Sequence, residues 1–561
     1  MRSISIDKFA RSILPSALVG VGTLSFLISI LMLVMPIYMM TLIGKVLTSQ
    51  SMSSLWGLTI ISIFLLVIHG VLVSIRGRIL SRVGENFDHA IRDQVFQAMI
   101  HQNSMSGRTS NSLQSLDVVK RFLSNDAVSS FFDVPFVPLF LIVIYLLSPT
   151  LGLIALLCTL LMLVSTWLTD RRAKKKKNTA KSQTQVAQLL VEEFSAQAET
   201  LKVNGMISRA FRKWQTLRNE AVSDEMSTSD AMSDSQAVLR TGMFLFPVFL
   251  LCAGAILVLQ GELGVGALVA VNILMMRAVA PLQSALVGWK LFVDARASFD
   301  NLNTFLLEYE DYSSHIQATL PVPSGNILVE GLISKPPGKN SEPILKGLSF
   351  KVTPGESVGL VGASGAGKTT LLKHIAGLAI PLKGHVKFDG IQSWQWSSDF
   401  LGEHIGYMAQ ESELFEGTIA ENISRLKTCD IAEVVAAAEL AGVHHRIAQL
   451  PQGYDTVVAG GKATLSGGER QAVCLARAVF RSPKIVLLDE PTASMDALGQ
   501  TAVKTCITNL THAGITVIVS SHNMEVLKSM DKLLMIQFGR QIAYGTPDEV
   551  AAKTHGGAGS K

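Results

Sequence analysis

Residues 362–370, reading GASGAGKTT, decide the fold of the second half of the chain. A short apolar run, Val358 to Val361, precedes this stretch, and Leu371 to Leu378 follows it with a helical pattern. Strand, glycine loop and helix in that order form a phosphate-binding loop, and Gly362, Gly367, Lys368 and Thr369 meet its G-x-x-x-x-G-K-S/T spacing. The loop predicts a nucleoside triphosphate held by Gly362, Ala363, Ser364, Gly365, Ala366, Gly367, Lys368, Thr369 and Thr370. Glycines let successive N–H groups turn inward around the anion, and the lysine and the helix N-terminus add positive charge. The Thr369 hydroxyl is a candidate ligand for Mg²⁺.

The rest of the chain is too apolar for a wholly soluble protein. Hydrophobic residues make up 48% of its 561 positions, and the mean hydropathy is +0.36. Six apolar segments, near 14–43, 55–75, 131–148, 150–169, 241–260 and 264–286, are each long enough to approach the roughly 20 residues of a spanning helix. The first carries Arg2, Lys8 and Arg11 ahead of it, but it is too long for a secretory signal and predicts a membrane helix kinked at Pro36. Pro149 predicts a tight turn between the third and fourth.

The net charge of +5 does not mark a nucleic-acid face, because its basic residues flank apolar segments. Arg76, Arg78, Arg82 and Arg92 follow the second segment, and Arg171, Arg172 and Lys174 to Lys177 follow the fourth. The turns after the third and fifth lack basic residues, so both termini are expected in the cytoplasm. Cys158, Cys252, Cys429, Cys474 and Cys506 show no metal or redox spacing and read as packed thiols.

The connections 76–130 and 170–240 are long and charged, and Val83, Phe87, Ile91, Val95 and Met99 recur at helical spacing. The membrane helices are therefore expected to continue into the cytoplasm, with breaks at Ser106–Gly107 and Asn204–Gly205. Asp133 and Arg277 are ionisable residues in apolar surroundings, and the expected arrangement pairs them with each other. His69 is a third polar residue of the same kind.

Past Pro321, Pro323 and Gly325, short apolar runs alternate with helical patterns, which predicts an α/β domain with a mainly parallel sheet. Ile485 to Leu488 reads as a buried strand ending in Asp489 and Glu490. An aspartate there suits Mg²⁺, and the next glutamate suits deprotonation of an attacking water. Leu465 to Gln471 reads LSGGERQ, so Ser466, Gly467, Gly468 and Glu469 offer a second set of inward N–H groups. One nucleotide does not need two cradles from one domain. That second set is expected to close over nucleotide on another copy. Gln410 and His522 both sit where strands end.

The ordered set GASGAGKTT, Gln410, LSGGERQ, VLLDEP, Asp496 and His522 resembles the nucleotide-binding domain of ATP-binding cassette proteins. With six membrane segments ahead of it, the chain resembles an ABC exporter half-transporter. The resemblance implies an all-α transmembrane domain of six helices, of the type I ABC exporter kind, joined to an α/β P-loop nucleotide-binding domain. Residues 1–312 are expected to be the membrane domain, 313–325 a linker, 326–553 the cassette and 554–561 a tail. The resemblance also implies a head-to-tail homodimer sandwiching two ATP molecules. Within it Glu490 would be the general base, Gln410 the metal and water sensor, His522 the γ-phosphate switch and Asp496 part of a loop crossing between copies. Thr369, Gln410 and Asp489 would hold Mg²⁺, and the tips near 106–112 and 202–208 would couple to the cassettes.

VEGLISKPPGKNSEPILKGLSF, IGYMAQESELFEGTIAENI and ILMMRAVAPLQSALVGW are similar to the type I secretion ATPases that export proteases and RTX-type proteins. That subgroup implies an inner-membrane location, a periplasmic adaptor, an outer-membrane channel and an unfolded polypeptide cargo with a C-terminal signal. The sequence starts close to its first helix, so no N-terminal peptidase-like domain is expected. The alternatives are export of a lipid, drug or small peptide, and a nucleotide-gated membrane protein that does not pump. Two departures stand out. Lys335 to Gly338 lack the aromatic that stacks on adenine in many cassettes, a contact of about 1 kcal/mol. Ala459 to Lys462 lack the acidic residue common before the signature.

Overall fold

The computed structural model describes residues 14–106, 112–125, 127–174, 177–314, 320–335, 342–411, 413–458 and 465–556. Several readings above fall at least partly outside them: the tip at 107–111, the basic cluster around Lys175 and Lys176, much of the linker, Pro336 to Gly338, and Ala459 to Lys462. The chain divides into two units, Met1–Phe96 with Asn111–Leu306, and Gln97–Ser110 with Leu307–Lys561.

The first unit is helical. Its elements are α1 (Leu14–Leu31), α2 (Val34–Thr41), α3 (Met52–Ser106), α4 (Ser112–Leu123), α5 (Ala127–Asp133), α6 (Val137–Leu147), α7 (Pro149–Lys174), α8 (Lys177–Ala196), α9 (Ala198–Val203), α10 (Ile207–Leu259) and α11 (Val265–Ser314). Among the described residues, five helices are long and apolar enough to cross a membrane, and Pro149–Val164, the first part of α7, is a further apolar stretch.

The helix breaks have local causes. α1 and α2 are separated at Met32 and Leu33, because Pro36 has no N–H to return to the carbonyl one turn back. Ser148 is extended and Pro149 opens α7, where its missing N–H costs nothing. α3 runs 55 residues, about 80 Å at the helical rise, and ends at Ser106. α9 and α10 are divided by a turn that places Gly205 at a φ of +62°, a conformation glycine adopts without strain.

The apolar stripe of α3 packs as its spacing predicts. Val83, Phe87, Ile91 and Val95 are buried with Leu116 and Val119 of α4 and Leu302 of α11. The expected Asp133–Arg277 pair does not form. Asp133 Oδ1 instead accepts from Arg76 Nη1 at 2.6 Å, and the same nitrogen donates to Ser25 Oγ at 2.9 Å. Arg76, one of the basic residues that follow the second apolar segment, is buried. The reason is that α3 does not leave the protein at its apolar end but stays packed beside α1 and α5. Arg277 is exposed.

The second unit carries two sheets. β1 (Ile327–Ser334), β2 (Leu345–Val352), β4 (Lys383–Phe388) and β5 (Ile391–Gln392) form an antiparallel sheet in the order β2-β1-β4-β5. The larger sheet contains β3 (Ser357–Val361), β6 (Ile405–Met408), β9 (Ile485–Asp489), β10 (Thr516–Ser520), β11 (Lys532–Gln537) and β12 (Arg540–Gly545). Its order is β12-β11-β3-β10-β9-β6, with only the β12 edge antiparallel. Strands that cross a sheet repeatedly in parallel need helices between them. They are α12 (Lys368–Ile375), α13 (Ser398–His404), α14 (Ile419–Ile423), α15 (Ile431–Leu440), α16 (His444–Ala448), α17 (Gly467–Val479), α18 (Ala497–His512), α19 (Met524–Lys528) and α20 (Pro547–Gly556). A short ribbon, β7 (Gly417–Thr418) with β8 (Val457–Val458), joins the helical part.

Alternation along the strands divides the core. Ile485, Leu487 and Ile518 face the α12 side with Leu371, Leu372 and Ile375. Val486, Leu488, Val517 and Val519 face Val473 of α17 and Val503 and Ile507 of α18. A strand buried on both faces reads as an unbroken apolar run, which is why VLLDE stands out in the sequence.

Candidate nucleotide site

The parallel strands bring their C-terminal ends to one edge, and the candidate residues sit just beyond those ends. Leu360 of β3 and Asp489 of β9 both lie level with Ser520 of β10, and Met408 of β6 lies level with Leu488. Two residues past Ser520 is His522; two past Met408 is Gln410; one past Asp489 is Glu490. Register, not sequence distance, gathers them.

The phosphate loop turns between β3 and α12. Ala366 N donates to Ala363 O at 3.1 Å, and Gly365 and Gly367 hold φ angles of +78° and +102°. A side chain at Gly367 would also meet Leu345 Cδ2 at 2.6 Å, so glycine is required there on both counts. Lys368 begins α12 and is buried. Its Nζ donates to Gly362 O at 2.7 Å, lies 3.0 Å from His522 Nε2, and lies 3.8 Å from Glu490 Oε1. His522 Nε2 is 3.3 Å from the same carboxylate oxygen. Ammonium, imidazole and carboxylate thus converge at the mouth of the loop.

Asp489 is 1% exposed. One oxygen accepts from Ser520 Oγ, and the other, Oδ2, is buried with no partner among the described residues. An acceptor buried in this way is costly unless a cation or water completes it. A buried carboxylate with one oriented and one spare oxygen fits Mg²⁺ by the chemistry of its donors. Nearby Tyr407 on β6 has its phenol pushed up to about 12, by burial first and the Asp489 charge second.

Glu490 holds a φ of +50°, a region that side chains other than glycine, asparagine and aspartate seldom occupy. Four bonds hold it there: its N–H reaches Ser520 O at 3.0 Å and Ser520 Oγ at 3.2 Å, and its carbonyl accepts from Gln471 Nε2 at 2.8 Å and from Ala493 N at 3.2 Å. Gln471, 2% exposed, also accepts from Ser494 N at 2.9 Å. It therefore links the signature helix to Glu490 and to the loop leading to Asp496. Reading the sequence missed Gln471 and Ser520; the signal for the first was its place on the inward face of the LSGGERQ helix.

The signature opens α17 through a capping box. Ser466 Oγ accepts from Glu469 N at 3.3 Å, and Glu469 Oε2 accepts from Ser466 N at 2.8 Å. Arg446 Nε pairs with the same carboxylate. Burial raises the Glu469 carboxyl, but bonds from Arg446 and Ser466 more than offset it and leave the group below its ordinary value. Ser466 N is thereby occupied. The Gly467 and Gly468 amides are the first of the helix and have no intrahelical partner. A Cβ at Gly468 would meet Ser494 O at 2.9 Å, so the signature lies directly against the loop after Glu490. Asp496 caps α18, with Oδ1 accepting from Gly499 N at 2.8 Å. Gln410 is exposed, two residues beyond the end of β6.

Two family models match this chain: one described as ABC transporter, over residues 345–493, and one described as ABC transporter transmembrane region, over residues 18–282. The type I secretion system ATP-binding protein PrsD of Rhizobium meliloti (strain 1021) is 34% identical over 539 residues, covering 95% of this chain and 92% of that protein. The chain belongs to the ABC exporters of the type I secretion group. The alpha-hemolysin translocation ATP-binding protein HlyB of Escherichia coli is 27% identical over 563 residues, covering 98% of the exporter and 78% of HlyB. A solved bacterial Atm1-family ABC exporter with ATP bound has the same fold, with a TM-score of 0.80 at 20% identity over 98% of the exporter and 99% of that chain. The exporter is accordingly a multi-pass membrane protein with an ATP-binding domain, and an ATPase coupled to transport.

Proposed function

We propose that the exporter works as a homodimer in the bacterial inner membrane, with both termini cytoplasmic, and drives type I secretion of an unfolded RTX-type polypeptide. A periplasmic adaptor and an outer-membrane channel would complete the path. The names of PrsD and HlyB support this reading at the level of secretion and translocation. The observation that carries the dimer is that one chain presents two separate helix starts suited to phosphate, at Gly367–Lys368 and at Ser466–Gly468.

In this reading the amides of residues 362–370 and the Lys368 ammonium bind the outer phosphates of ATP, and the Ser466–Glu469 turn of the second copy closes over them. Mg²⁺ would be held by Thr369, Gln410 and Asp489, and when bound it neutralises phosphate charge. Glu490 takes the proton of the attacking water, which is why its backbone is fixed from three directions. His522 orients Glu490 and contacts the γ-phosphate, and Asp496 belongs to the loop that reaches the other copy. Charge-assisted contacts, each about 1.5–3 kcal/mol, draw the two cassettes together, and hydrolysis removes them.

Capture of cargo by the Glu490→Gln exporter, held with ATP in the closed dimer, tests the cargo assignment. The expected result is an unfolded polypeptide whose C-terminal segment is needed for capture. Recovery of lipid or small peptide alone would assign the exporter to another transport class.

A further inference from the structure

Two of the elements that carry nucleotide residues, α17 and β6, meet at a single side chain at the ends away from those residues. Arg425 follows α14 in a turn where it and Leu426 hold φ angles of +57° and +60°. Its Nε donates to Arg477 O at 2.9 Å and its Nη2 to Ala478 O at 2.8 Å, two of the last carbonyls of α17. Such carbonyls have no partner within their own helix. Nη1 donates to Gly402 O and, at 3.3 Å, to Ile405 O, where α13 gives way to β6. One guanidinium thus holds the C-terminal end of the signature helix and the N-terminal end of the strand that leads to Gln410.

This is an unusual place for a cation. Burial brings the Arg425 guanidinium down to about 10, with the nearby Arg477 charge adding to the effect. Glu403, the carboxylate lining the same cleft, is paired with Lys427 at 2.7 Å. Arg425 is therefore compensated by four carbonyl dipoles rather than by an acid. A planar fork reaches four acceptors at once; an ammonium on a flexible stem does not. The junction is close-packed as well, since a Cβ at Gly406 would collide with Ala478 O. From the same last turns of α17, the Arg477 side chain donates through Nη2 to Glu413 O at 3.1 Å, three residues past Gln410.

We propose that Arg425 is a positioning residue for ATP hydrolysis, clamping the signature helix and the Gln410 strand so that they move as one body. It touches neither the phosphate loop nor the strand ends at which the nucleotide would bind. The inference rests on the roles given above to Gln410 and the signature.

The test is steady-state ATPase kinetics of the full-length exporter carrying Arg425→Lys or Arg425→Met, with binding of a fluorescent ATP analogue and thermal unfolding measured alongside. Both variants are expected to lose about tenfold in kcat, while KM and analogue affinity stay within about twofold, because the phosphate loop is not attached to the clamp. In the Gln410→Ala background, Arg425→Met is expected to cost far less than it does alone, since both changes act on one geometry. An Arg425→Lys exporter with ordinary kcat overturns the proposal, as charge alone would then suffice. Parallel loss of kcat, analogue affinity and thermal stability also overturns it, by reducing Arg425 to a packing residue. Full additivity with Gln410→Ala does the same. Ordinary turnover in Glu490→Gln would instead remove the reading of the site beneath it.

Discussion

Two of the buried charge clusters of the exporter are arranged differently. In the membrane unit, Arg76 and Asp133 meet one to one at 2.6 Å, with Ser25 as a third member. In the cassette, Lys368 is shared among a carbonyl, an imidazole and a carboxylate 3.8 Å away, while Asp489 keeps one oxygen unmatched. The first arrangement pairs opposite charges directly, with only the Nε of the Arg76 guanidinium buried without a partner among the described residues, and acts as a lock between α3 and α5. The second has capacity left for a ligand. Buried charge by itself marks neither stability nor function; what separates the two is whether the partners are already in place.

The comparison breaks first if the cassette cluster is inert. Glu490→Gln should lower ATP turnover by about 10²–10⁴-fold, the usual worth of a general base, while ATP binding persists. Phosphate release and analogue binding measure the two halves. Unchanged release would remove Glu490 as the base and leave its strained backbone without a chemical purpose.

The membrane pair should answer in stability instead. Asp133→Ala leaves Arg76 buried and unmatched, and is expected to cost about 3–5 kcal/mol. Replacing both partners together, Arg76→Met with Asp133→Leu, should recover most of that loss. Thermal unfolding of the purified exporter reads both. Arg277→Met should have little effect, because Arg277 is exposed. An equal loss from Arg277→Met would reinstate the pairing that sequence suggested.

Sequence was a good guide where chemistry demands a particular residue at a particular spacing. GASGAGKTT lies between a strand and a helix, LSGGERQ opens a helix and Asp489 ends a buried strand, as their sequence context predicts. The long helices were also legible, since Val83, Phe87, Ile91 and Val95 repeat with the helical period and are buried as that period requires. The partner of Asp133 was not. Three arginines near the end of the second apolar segment look alike in sequence, and only the packing of α3 beside α1 and α5 selects Arg76. Gln471, Ser520 and Arg425 were hidden for a related reason. Each acts on backbone atoms far away in the chain, and a carbonyl carries no sequence signal.

Gln471 sharpens the contrast at smaller scale, because it carries no charge yet spans three parts of the site. Gln471→Ala should strand the Ser494 amide and remove one of the two donors to the Glu490 carbonyl, at a cost of about 1–3 kcal/mol. Amide hydrogen exchange at Ser494 should then quicken by about tenfold or more. Exchange confined to its original rate would show that the loop before Asp496 is held by other contacts.

The smallest effect concerns a carboxylate between the two extremes. Glu469 belongs to the signature's capping box, with its pairing to Arg446 on the outside. Its net shift is downward from an ordinary value of 4.5, so the folded state binds the proton less readily than the unfolded one. The stabilisation is then fully present above that ordinary value and is lost as pH falls through the lower, folded one. Arg446 is 61% exposed on its side chain, so its share is that of a surface pair, about 0.2–1 kcal/mol. Arg446→Ala should flatten the acid limb of the stability profile slightly and change little at neutral pH. The Ser466 bonds persist in that variant, and Glu469→Gln should remove more of the limb than Arg446→Ala does. Equal flattening by both would place the effect in the ion pair and not in the cap that opens the signature helix.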